Sequence, residues 1–87
     1  MATESWAEIQ AYGRVMRYRR NAPVIVIGPR VGVLVPDLAE PGQLAAFIEG
    51  LGARGLTILA AGAYYEAALE LAESDPERVL GVSPIAG

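Results

Sequence analysis

Val24-Ile25-Val26-Ile27 and Val31-Gly32-Val33-Leu34-Val35 are two β-branched, aliphatic runs separated only by Gly28-Pro29-Arg30. A strand with one wet face alternates apolar and polar residues, whereas a strand that is apolar at every position needs cover on both faces. The pair therefore predicts a hairpin buried inside a layered α/β domain, with glycine and proline turning the chain between its strands. Pro36 closes the second strand.

The flanking sequence supplies candidate layers. Asp37 or Glu40 can cap a helix that tolerates Pro41 in its first turn, buries Leu44, Phe47, Ile48 and Leu51, and stops at Gly55. Residues 56–61 read as a third strand. Residues 64–74 read as a helix with Tyr65, Ala68, Leu69 and Ala72 inward, and residues 79–83 as a final strand. Upstream, Ser5-Trp6-Ala7-Glu8 fits a capping box. Trp6, Ile9, Tyr12, Gly13 and Met16 recur at helical spacing, which predicts a helix over residues 6–20 that ends before Asn21 and Pro23. The expected fold is a single α/β domain over residues 1–87, in the order α-β-β-α-β-α-β. Its sheet is mixed and four-stranded, an N-terminal hairpin joined to a parallel βαβαβ unit, with helices packed on it.

Composition bears on what such a domain does. Hydrophobic residues make up 53% of the chain and its mean hydropathy is +0.32, more apolar surface than one small core absorbs. A homodimer or higher homo-oligomer is expected, with Trp6, Ile9 and Met16 as the contact surface. No apolar run is long enough to span a bilayer and residues 1–6 do not resemble a signal peptide, so the expected location is cytoplasmic, with no membrane partner. All seven basic residues are arginine and Asn21 is the only asparagine, a profile that hints at a thermostable protein.

The chain has no histidine, cysteine or lysine. The side chains that most often carry proton transfer, covalent catalysis and transition-metal ligation are thus missing, and no cofactor, metal or catalytic set is expected. Serine has no base to activate it. Glu66, Glu70 and Glu73 follow the spacing of a solvated helix face. Ala61-Gly62-Ala63 lacks both the G-x-G-x-x-G spacing and the lysine of a phosphate loop.

Recognition must then use arginine, carboxylate, tyrosine and backbone groups. In open α/β sheets ligands bind beyond the carboxyl ends of the parallel strands. That rule gathers Arg17, Arg19 and Arg20 with Asp37, Gly62, Tyr64 and Tyr65 on one rim suited to a small anion, and sets Arg30 at the opposite edge. The simpler account of these arginines is a helix end that meets its own dipole and pairs with local acids. The expected function is a non-enzymatic, self-associating module for small-ligand sensing or protein interaction. Nucleic-acid binding through Arg14, Arg17, Arg19 and Arg20 is an alternative that the pI of 4.8 disfavours, since residues 23–87 carry a net charge of −5 against +2 on residues 1–22. A carboxylate-dependent enzyme at Asp37 is the remaining alternative.

Overall fold

Of the two β-branched runs, the first sits in the middle of the main sheet and the second forms its half-buried edge strand, so the two-sided cover expected of both is met only by the first. The computed structural model describes residues 6–11, 13–19 and 22–85. Along them run β1 (Trp6–Ala11), β2 (Arg14–Arg19), β3 (Val24–Gly28), β4 (Gly32–Leu34), a single 3-10 turn (Pro41–Gln43), α1 (Leu44–Leu51), β5 (Leu56–Ala60), α2 (Ala63–Ser74) and β6 (Val79–Pro84). The main sheet has the order β4-β3-β5-β6. β3 is antiparallel to both of its neighbours, and β5 is parallel to β6. β4, β5 and β6 therefore point the same way, as expected for the last three strands, with β3 inserted between the first two of them.

Every residue of β3 is buried, which is the two-sided cover its sequence demands. Val24 and Val26 face a core shared with Leu44 and Ile48 of α1, Ala68 of α2, Leu56, Ile58 and Ala60 of β5, and Val79 of β6. Ile25 and Ile27 face the other way, into a second cluster that contains Met16 and, around it, Ile9, Tyr18, Val33 and Leu59. The domain is thus three layers, with helices, sheet and a two-stranded β-ribbon stacked in that order.

That ribbon corrects the helix expected over residues 6–20. β1 and β2 pair antiparallel, with Ile9 opposite Met16 and Glu8 opposite Arg17. Gly13 turns the chain between them at φ +78°, a conformation that costs glycine little and other residues a good deal. Burial alternates as it does in a half-covered strand: Met16 is buried between exposed Val15 and Arg17, and half-buried Ile9 lies between exposed Glu8 and Gln10. The capping box dissolves with the helix. Glu8 lies in β1, while Ser5 lies outside the described residues, as do Tyr12, Arg20 and Asn21.

The helices differ from expectation in smaller ways. Leu44 and Ile48 are buried in α1, with Phe47 and Leu51 packed against the same core. The left-handed stop of α1 is Gly52 (φ +65°), three residues before Gly55. Neither Asp37 nor Glu40 caps it: Glu40 precedes the 3-10 turn without a side-chain bond, and the Gln43 side-chain oxygen instead accepts from the Ala39 N–H at 2.8 Å. In α2 the inward face is Tyr64, Tyr65, Ala68, Leu71 and Ala72, whereas Leu69 turns outward and is 38% exposed.

Gly50 lies inside α1 with nothing within 4 Å of where a Cβ would stand. It weakens the helix without serving packing, so Gly50→Ala should stabilise the domain by about 0.5–1 kcal/mol in urea titration. A loss of stability would show that the position has a packing partner after all.

Candidate functional site

The start of β3 and the end of β5 define one edge of the sheet, where the Ala61 N–H donates to the Pro23 carbonyl at 2.9 Å. This is the carboxyl-end rim of β5 and β6. Gly62 makes the turn into α2 at φ +57° and ψ −131°, a region open essentially to glycine alone, and leaves no side-chain cap on the helix. Two residues on, the Tyr64 hydroxyl donates to the Leu38 carbonyl at 3.3 Å and ties the strap after β4 to α2. Asp37, next to Leu38, is exposed on that strap.

The residues expected to share the rim divide between the two faces of the sheet. Tyr64 and Tyr65 pack into the core on the helix side. Arg17 is on the ribbon side, paired across the strands with Glu8 at 3.7 Å. Arg19 is the last residue of β2, opposite Trp6. Alternation along β2 also sends positions 14 and 17 to opposite faces of the ribbon. Arg14 reaches back instead, donating to the Pro29 carbonyl at 3.0 Å. Among the described residues no cluster of three or more acids could hold a metal ion, and no helix is long and apolar enough to cross a membrane.

What does gather on the ribbon side is apolar. Trp6, Tyr18, Val33 and Val35, with Arg17 at the margin, line a groove of about 420 Å³. Trp6 is 48% and Val35 45% exposed there, and Val15 is 55% exposed further along the outer face of the ribbon. Ile9 and Met16, expected to join Trp6 in a contact surface, are instead spent inward on the second core cluster. The groove borders β4, whose other edge is an outer edge of the sheet. Residues 31–36 carry no charge, so that edge lacks the lysine or glutamate with which proteins usually discourage strand pairing.

A second concavity, of about 230 Å³, opens at the opposite edge, between the turn that follows β3 and the loop that follows α1. Gly28 is pressed against its floor: a Cβ there would stand 2.7 Å from Leu56 Cδ2 and 2.9 Å from Val31 Cγ2. Arg30 and Arg54 both line this cleft. Arg30 falls at the edge where the hairpin reading set it. Arg54 joins it because α1 stops at Gly52, which brings residues 52–54 alongside the turn.

Against known proteins the chain finds no counterpart, since no family model, curated protein or solved structure matches it.

Proposed function

We propose that the protein is a non-enzymatic α/β module that self-associates through the Trp6 groove and the neighbouring open edge of β4. The exposure of Trp6 and Val35 around that groove is the observation that supports the reading. A tryptophan half in water, beside an uncharged strand edge, gains most from a partner that brings an equally uncharged edge and apolar wall. A second copy of this chain offers both, and a two-fold axis normal to the sheet beside β4 would pair the two edges antiparallel with both ribbons on one face, bringing each Trp6 toward the other copy's apolar wall. Ile9 and Met16 support the surface from below and stay out of the contact.

Sedimentation velocity tests this directly. Dimers are expected at micromolar concentration, with Trp6→Ala weakening association by about 2 kcal/mol, roughly 30-fold, as for a central aromatic anchor. A wild-type protein that stays monomeric at 100 µM would end the proposal, and so would a Trp6→Ala variant that assembles like the parent.

A further inference from the structure

The geometry points to a second, independent site: we infer that the cleft between residues 28–31 and 52–54 binds a small aliphatic carboxylate. Its floor is apolar, formed by Val31, Ala53 and Leu56. Two guanidinium-bearing residues, Arg30 and Arg54, stand around that floor. Their standing differs. Arg54 already holds Glu77 at 2.9 Å. Arg30 is exposed and has no ion pair with any described residue, so its full set of donors is open to a ligand.

The turn that carries Arg30 is held firmly. Gly28 packs against Leu56 and Val31 with no room for a side chain, and the Arg14 guanidinium holds the Pro29 carbonyl from the ribbon side. With the backbone held before binding, only the Arg30 side chain remains to be ordered, which favours a preformed turn. Guanidinium prefers a planar, two-oxygen partner, and the apolar floor asks for a short hydrocarbon body behind it. Together they select a carboxylate with a few methylene groups over a bare inorganic anion. The cleft opens at the start of β4 and the Trp6 groove near its end, and of the uncharged residues 31–36 only Val31 lines the cleft.

Amide NMR shifts followed during titration with sodium hexanoate, hexan-1-ol and inorganic phosphate test the inference. Hexanoate is expected to saturate with a Kd of about 1 mM, moving residues 28–31 and 52–56. Arg30→Ala should weaken it by about tenfold or more, with Arg30→Lys between the two. Hexanol and phosphate should each bind at least about tenfold more weakly than hexanoate, because each supplies only half of the recognition. Arg30 is exposed, so both variants keep the fold, and the unchanged dispersion of their spectra checks this. No saturation by 50 mM hexanoate, an Arg30→Ala variant that binds as the parent does, or phosphate binding as tightly as hexanoate would each overturn the assignment.

Discussion

Truncating Ile25 to alanine should lower the free energy of unfolding by about 2–5 kcal/mol, the cost of a cavity at a fully buried aliphatic side chain. A chain of 87 residues has a total stability of about 4–13 kcal/mol, so this one change removes a large share of it. Ile25 faces the ribbon and not the helices, and the loss is therefore expected only if residues 6–19 cover the second face of the sheet. Two neighbours in β2 sharpen the test. Met16→Ala should cost about 2 kcal/mol or more, whereas Val15→Ala, on the outer face, should stay within about 0.5 kcal/mol. Urea unfolding of the three variants measures this, and an Ile25→Ala protein as stable as the parent would mean that the second face is not covered as described.

The ribbon was the least legible element for a definite reason. Ile9 and Met16 lie seven residues apart, which puts them on one face of a helix; they also lie symmetrically about residues 12 and 13, which makes them cross-strand partners in a hairpin with a two-residue turn. Because side-chain parity flips at such a turn, odd-numbered Ile9 and even-numbered Met16 both point inward, and the strand alternation is hidden from a count that runs straight through. What separates the readings lies elsewhere in the chain. β3 is apolar on both faces, while the two helices downstream fill only one, so something must cover Ile25 and Ile27. Val24 to Ile27 read as a strand because the run is short, β-branched and flanked by Pro23 and Gly28, and Leu44, Phe47, Ile48 and Leu51 read as a helix face because they fall at i, i+3, i+4 and i+7. The candidate sites followed the elements. The hairpin alone sets Arg30 at its edge, whereas Arg14, Arg17 and Arg19 lie on β2 and not on the helix expected there. Arg54 stayed out of view because Gly55, and not Gly52, looked like the end of α1.

Gly28→Ala should destabilise the domain by about 1–3 kcal/mol, the usual cost of overpacking a filled site. The added methyl would stand 2.7 Å from Leu56 Cδ2 and 2.9 Å from Val31 Cγ2, inside van der Waals contact with both. Leu56 is fully buried in the helix-side core, so it cannot swing freely away. The cleft that Leu56 and Val31 themselves line offers slack beside it. Two consequences separate this clash from a general intolerance of side chains in β3. Leu56→Val shortens the obstructing side chain, so the double variant should be more stable than the sum of the single losses by about 1 kcal/mol, read from a urea double-mutant cycle. Simple additivity would show that the close approach of Gly28 to Leu56 is absent. If Leu56 and Val31 relieve the clash by moving outward, Gly28→Ala also narrows the cleft and weakens hexanoate binding while leaving Arg30 in place. The same substitution then ties the packing of the central strand to the shape of the site at its end.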